Sequence, residues 1–237
     1  MTRTLTLASA LLCTCVVAHA QAVITTSRAT VDLGGGTWVE LGRGKVVVAS
    51  IDRWGDLVAE VVTSASIEGR RVRAIVTVNS TPSSPGGRVD WAQECLVSTD
   101  AVWSMPLRGG HPEDVECTRA TAPADAAAML KHRPEVREAI VERSLEMPDE
   151  VVSMSASIFT RHGRMMSIDV WADKGFAGLD GGKVDPLPAR VAAAHAGYAE
   201  ELGRSVRESI FSMRGRTALP PMRFSTDMLP VAPLRVP

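Results

Sequence analysis

The sequence predicts an α+β protein in which antiparallel sheets pack against helices, and three observations lead to this expectation. Segments with a period of two, such as Val61–Asn79, predict half-buried strands. Pro188–Met213 has apolar residues at spacings of three and four and predicts the longest helix. The chain runs from strands to helices, back to strands and then to this helix, which is typical of the α+β class.

Several strand patterns precede the helices. Val61–Asn79 turns at residues 68–70 (EGR), and its second half alternates with Ile75 as the exception. We expect residues 42–44 (GRG) to end the first strand and Pro106 to mark the edge of a sheet or the end of a strand. Gln21–Gly36 is expected to be a loose lead-in, although Ala22–Thr26 could form a strand. The predicted strands of this part are Thr37–Leu41, Lys45–Ile51, Leu57–Thr63, Val72–Val78, Arg88–Ser98 and Ala101–Leu107.

Helices and a second hairpin follow. Pro123–Leu145 is predicted to be helical with Thr121 as its N-cap, and Pro134 is expected to break it in two. Asp149–Ile158 and Arg164–Ala172 form the second predicted hairpin. Both hairpins contain the tetrapeptide SASI, at residues 64–67 and 155–158. The repeat indicates either two related sheet-plus-helix units or a chance match in a chain rich in Ser, Ala and Val.

The first twenty residues have the three parts of a secretory signal peptide. Arg3 supplies a positive charge, Leu5–Val17 is almost wholly apolar or small, and Ala18–Ala20 is an A-x-A cleavage site. The apolar part is shorter than the about 20 residues that a spanning helix needs, and no later run is long and apolar enough. We therefore expect cleavage after Ala20, a periplasmic or secreted mature chain, and no transmembrane segment in it.

We divide the mature chain into three regions. Residues 21–120 are mainly β, residues 121–213 mix helix with strand and end in the long helix, and residues 214–237 carry five prolines without periodicity. The last region is expected to be an extended or disordered tail.

Charge limits the class of partner. Without residues 1–20 the chain has 25 basic residues (26 minus Arg3) and 27 acidic residues, a formal charge of −2. Nucleic-acid binders carry a marked basic excess, so we expect no nucleic acid as partner. The expected partner is a protein or another envelope component.

Two cysteines remain after the signal peptide is removed. Cys95 and Cys117 form the one available intrachain pair, and disulfides persist in exported proteins. A bond between them closes a loop of 22 residues (117 − 95), which stabilises the fold by about 3 kcal/mol. The alternative is two buried free thiols. The separation is too long for a C-x-x-C redox motif.

Motifs for catalysis and metal binding are absent from the sequence. It has no G-x-S-x-G, S-x-x-K, H-x-H or H-E-x-x-H pattern. The serines of residues 153–157 are interpreted as the hydrophilic face of a strand, His195 as a packed residue of the long helix, and Asp180–Asp185 as an ordinary loop. We therefore expect no catalytic residue, no cofactor and no metal.

Four residues are predicted to contact a ligand or partner. Trp54 lies at a turn, Arg161 and His162 lie at the tip of the second hairpin, and Trp171 is on the strand face opposite Val170. Tryptophan and arginine are enriched where proteins bind partners. The alternatives are that the tryptophans cover the sheet and that the turn residues are solvated.

A family resemblance covers residues 37–107. Trp38, Ser66-Ile67, the strand Val72–Val78 and the spacing of Asp90 and Cys95 resemble the small bacterial surface-adhesin E domains. The second cysteine departs from that pattern because it comes before the helices. The resemblance therefore carries no activity over to this chain.

We expect an exported bacterial envelope protein with a binding or structural role and without catalysis. One alternative is a small envelope hydrolase, which a deep pocket holding His162 or His195 beside an acid would favour. The other is an exported inhibitor or immunity protein, which a protruding loop near Gly175–Pro186 with apolar rim residues would favour.

The intact mass of the protein purified from the envelope tests export and the disulfide together. We expect a chain that begins at Gln21 and is lighter by two hydrogens than its reduced form. A first residue of Met1 would contradict cleavage of the signal peptide, and two thiols free to react with an alkylating reagent would contradict the disulfide.

Overall fold

The structure of this chain, a computed structural model, describes residues 22–27, 29–51, 55–81, 89, 101–106, 114–178, 188–211 and 215–224. The predicted signal peptide, Trp54, Cys95 and the loop Asp180–Asp185 lie outside the described residues. So does almost all of the predicted strand Arg88–Ser98.

Secondary structure is given in chain order for this part of the protein. The strands are β1 (Ala22–Thr25), β2 (Thr30–Gly34), β3 (Thr37–Ile51), β4 (Gly55–Glu68), β5 (Arg71–Ser80), β6 (Ala101–Pro106), β7 (Val115–Thr121), β8 (Ala124–Asp125), β9 (Glu150–Phe159), β10 (Met165–Asp173), β11 (Phe176–Gly178), β12 (Arg216–Ala218) and β13 (Arg223–Phe224). The helices are α1 (Ala126–Leu130), α2 (Pro134–Glu142) and α3 (Pro188–Phe211).

One antiparallel sheet of eight strands forms the centre of the protein. Its strand order is β3-β4-β5-β10-β9-β7-β6, and β8 pairs with β9 beside this path. The α+β class and both predicted hairpins are confirmed, and Pro106 is on the edge strand β6, as predicted. The two SASI segments lie on β4 and β9 of this same sheet, so two separate units are not confirmed.

Helix α3 covers one face of the sheet. Tyr198, Leu202 and Val206 are fully buried in the main hydrophobic cluster, where α3 lies mainly against β9, β7 and β10 of the central sheet, which confirms the predicted stripe. Arg207 of α3 also forms an ion pair with the buried Glu116 of β7. This face therefore contains the main hydrophobic core.

Helices α1 and α2 cover only one end of the opposite face. There Leu41, Ile75, Val136 and Ile140 form a smaller cluster, with Trp171 packed against it. Ile75, the exception in its strand pattern, is explained by this cover.

The break between the two short helices is predicted correctly, but their first cap is not. Pro134 occupies the start of α2. The N-cap of α1 is Asp125 and not Thr121, because the Asp125 carboxylate accepts hydrogen bonds from the backbone N–H of Ala127 and Ala128 at 2.7 and 3.3 Å. Thr121 still belongs to strand β7.

Two predictions for the first strands are wrong. The expected loose lead-in forms β1, which pairs with β2. Residues 42–44 do not end a strand, since β3 continues to Ile51 through register shifts after Glu40 and after Val47. A bulge absorbs an extra residue and bends the strand, and glycine tolerates that bend.

The expected tail also needs a correction over residues 215–224. β12 pairs in parallel with β2, and β13 pairs with β11. The Tyr198 hydroxyl donates a hydrogen bond to the Pro220 carbonyl at 3.1 Å, and Phe224 is buried. The prolines exclude helix here, but the apolar residues next to them complete the core.

Among the described helices, none combines the length and the apolar composition needed to cross a membrane.

Truncation of Leu202 tests the packing of α3 on the sheet. Because this side chain is fully buried, we expect Leu202→Ala to lower the free energy of unfolding by about 2–5 kcal/mol in urea denaturation. Glu200→Ala is the matched control on an exposed position of the same helix and should change it by about 0.5 kcal/mol or less. Equal losses for both variants would show that α3 is not anchored as described.

Candidate functional site

A cavity of 990 Å³ lies on the face of the sheet that α3 does not cover. Strand β3 forms one wall, β4, β5, β9 and β10 form the floor, and the start of α2 contributes Arg133 and Glu135. The polar floor residues are called the polar groove from here on: Thr63, Asn79, Ser155, Ser157, Ser167 and Asp169.

Strand register arranges these side chains in two rows across the sheet. In the first row Ser167 lies opposite Ser157 on one side and opposite Asn79 on the other. In the second row Asp169 lies opposite Ser155 on β9 and opposite Thr77 on β5. Residues directly opposite on paired strands point to the same side of the sheet, so the rows form one continuous polar surface.

Only part of the hydrogen-bonding capacity of this surface is used within the protein. Asn79 Nδ2 donates to Ser167 Oγ at 2.8 Å, and the hydroxyls of Thr63 and Thr77 are 3.1 Å apart. Within the described part of the chain, the hydroxyls of Ser155 and Ser157 make no hydrogen bond. These two groups face the cavity with their donors and acceptors free.

Asp169 is the charged residue in the middle of the polar groove. Burial raises the pKa of its carboxyl above the ordinary value, and the positive charges of Arg133 and Arg119 only partly oppose this shift. In the region that the structure describes, the carboxylate forms no ion pair and accepts no hydrogen bond. At neutral pH it is therefore poorly compensated by the protein.

Two glycines keep the β3 wall of the cavity open. A Cβ atom added at Gly42 or Gly44 would meet no atom within 4 Å, and neither residue has a positive φ. Neither close packing nor a left-handed backbone therefore requires glycine here. Gly42 adjoins the register shift that bends β3, and both glycines leave space above the polar groove.

The mouth of the cavity carries both signs of charge. Arg43 is compensated, because its guanidinium contacts Glu60 at 2.9 Å and Glu40 at 3.2 Å. Lys45 and Glu135 also line the cavity and form no ion pair within the described residues.

Of the four predicted contact residues, the three that the structure describes do not line the cavity. Trp171 is partly buried against the cluster under α2, although it is on the same strand as Asp169. Arg161 Nε donates to His162 Nε2 at 3.1 Å at the tip of the second hairpin, away from the cavity lining. Trp54 lies outside the described residues. Contacts of these four residues with a partner stay a prediction.

His195 does not belong to the groove either. It is buried beside Phe176 and Tyr198, and its ring centroid is 5.9 Å from that of Phe176. Burial lowers the pKa of His195, against the raising effect of a hydrogen bond with the Phe176 backbone. Neither His195 nor His162 lines the cavity. The described residues also contain no group of three or more His, Cys, Asp or Glu that could hold a metal.

The sequence analysis did not predict the polar groove, although the sequence contains a signal for it. The alternation correctly places Ser155, Ser157, Ser167 and Asp169 on the polar faces of their strands. The serines of residues 153–157 are interpreted from the sequence as a hydrophilic strand face without a function. An acid in the middle of a strand, between Ile168 and Val170, is the sequence feature that could have indicated the groove.

Comparison with models of protein families, with curated proteins and with solved structures finds no match to this chain. The resemblance to surface-adhesin E domains therefore stays an expectation.

Replacement of Asp169 tests whether its charge is uncompensated. A carboxyl whose pKa is raised by folding is stabilising only while protonated, so the stability it gives is lost as the pH rises through the raised pKa. We expect Asp169→Asn to raise the melting temperature at neutral pH and to lose this advantage in acid. Glu138→Gln, at an exposed position of α2, is the control. A lower melting temperature for Asp169→Asn at neutral pH would mean that the carboxylate has a structural role.

Proposed function

We propose that this chain is an exported, periplasmic or secreted binding protein of the bacterial envelope, without catalysis, and that the polar groove is its ligand site. One observation supports this most strongly: hydrogen-bonding groups of Ser155, Ser157 and Asp169 are uncommitted inside a cavity of 990 Å³. These side chains are half-buried, so their hydrogen-bond partners must come from water or from a ligand. A ligand would supply those partners here.

The size and the rigidity of the site agree with this proposal. Small-molecule sites usually have volumes of about 300–1,000 Å³, and this cavity is at the upper end of that range. The floor consists of internal strands of the sheet, and the main core with α3 lies directly behind them. Side chains held on such strands are preorganised, so little conformational entropy is lost on binding.

A purely solvated strand face agrees less well with the electrostatics. A carboxyl in open solvent would keep its charge without a desolvation cost. Burial instead dominates the pKa shift of Asp169. The groove is thus partly removed from water before any ligand is present.

The predicted disulfide would lie next to the polar groove. Cys117 lies opposite Ser157, at the end of the first row of the groove. A bond from Cys117 to Cys95 would fix the segment before β6 beside this row. Export itself is proposed on the three-part pattern of residues 1–20.

Asp169 is also the observation that favours the second candidate, a small envelope hydrolase. A carboxyl with a raised pKa in a cavity suits a general acid, and Ser155 lies directly opposite on β9. Turnover of a small ester or glycan that is lost in Asp169→Asn would favour this candidate over the binding role.

Filling the cavity tests the binding proposal. Tryptophan at Gly44 would project from the β3 wall into free space. We expect Gly44→Trp to fold normally and to lose a compound that the unchanged protein retains. The measurement is mass spectrometry of small molecules released by denaturation, after incubation with an envelope extract and gel filtration.

Val141→Trp is the matched control, since Val141 is 71% exposed on α2 and does not line the cavity. It should retain the compound. The proposal is wrong if Gly44→Trp retains the compound equally well, or if neither the unchanged protein nor the control retains any.

A further inference from the structure

We infer that the polar groove binds a small zwitterion of the amino acid or short peptide class, with the ligand ammonium on Asp169 and its carboxylate on Arg133. This inference rests on the proposed function and names the chemistry of the ligand.

Four charged side chains face the cavity without an ion pair within the described residues: Lys45 and Glu135 at its mouth, Asp169 on its floor and Arg133 at the start of α2. The charge of Arg133 acts on the carboxyl of Asp169, but no ion pair joins them within the described residues. Each charge therefore lacks a neutralising contact of its own, and the space between them is open to a ligand.

A ligand with a single charge fits this arrangement poorly. A lone cation on Asp169 would be repelled by Arg133 and by Arg119, which also acts on that carboxyl. A lone anion on Arg133 would be repelled by Asp169. A molecule that carries an ammonium at one end and a carboxylate at the other neutralises both groups, and the planar guanidinium of arginine matches a carboxylate with two parallel hydrogen bonds.

The groups between and around the two charges favour a peptide over a sugar. Serine hydroxyls donate and accept, as the N–H and C=O of a peptide require, and Ser155 and Ser157 are free to do so. Phe159 and Met165 form an apolar end of the cavity, where an aliphatic side chain can pack. A neutral sugar would satisfy the hydroxyls but would cover both half-buried charges without pairing them, which is costly.

Calorimetric titration of the mature, disulfide-containing protein tests the inference. The probes are trialanine with free termini, its N-acetylated form, its C-amidated form, the form with both ends blocked, and maltotriose. We expect trialanine to bind and each single blocking group to weaken binding about ten-fold or more, because each removes one charged contact. The doubly blocked peptide and maltotriose should bind weakest.

Two substitutions test which protein residue binds each end of the ligand. In Asp169→Asn, N-acetylation should no longer weaken binding, while C-amidation still does. In Arg133→Gln the pattern should be reversed. Glu138→Gln and Arg137→Gln make the same charge changes at exposed positions of α2 that do not line the cavity, and both should bind trialanine like the unchanged protein.

Three results would overturn the inference: no measurable binding of any peptide, equal binding of free and doubly blocked trialanine, or tighter binding of maltotriose. These results are separable from failure of the proposed function. If the Gly44→Trp variant loses a retained envelope compound while trialanine fails to bind, the groove is a ligand site and only its assignment to zwitterions is wrong.

Discussion

The structure depends on how residues alternate between the two faces of the central sheet. In β5, β10 and β9 the residues Val76, Val170 and Met154 are fully buried in the main core, on the side of the sheet where α3 lies. Their neighbours Thr77, Asp169 and Ser155 must then point to the other side, because successive side chains of a strand alternate. A slip of one residue would exchange the two sets and place Asp169 in the apolar core. The packing of α3 therefore determines which side chains form the groove.

The groove lowers the stability of the fold, and the apolar packing on the other face of the sheet offsets this loss. Asp169 is half-buried and has no ion pair within the described residues, and partial removal of such a charge from water destabilises a fold. The strands tolerate it because large apolar side chains of the same strands, including Ile168 and Met154, are completely buried on the other side. Proteins commonly give up stability at sites that bind ligands, and the opposite faces of one sheet divide these roles here.

Local sequence patterns predict most elements of this fold, because alternation and helical spacing are properties of adjacent residues. They place Ser155 and Asp169 on polar faces and Leu202 on a buried stripe. They do not reveal that β5 pairs with β10, since Asn79 and Ser167 are 88 residues apart and their pairing depends on the whole sheet. The bend of β3 at Gly42 was missed for a related reason, because a bulge is defined only by its partner strand.

The repeated tetrapeptide SASI shows why a local pattern alone does not define a site. On β4 its first serine, Ser64, lies opposite Val76 and is buried on the α3 side. On β9 the equivalent Ser155 lies opposite Asp169 and faces the cavity. A duplication related by a two-fold axis perpendicular to the sheet would keep equivalent residues on the same face. The facing is opposite, so this repeat gives no support to duplicated units. Ser155 belongs to the groove because the register of β9 turns its side chain away from the main core. The same tetrapeptide on β4 contributes the buried Ser64 instead.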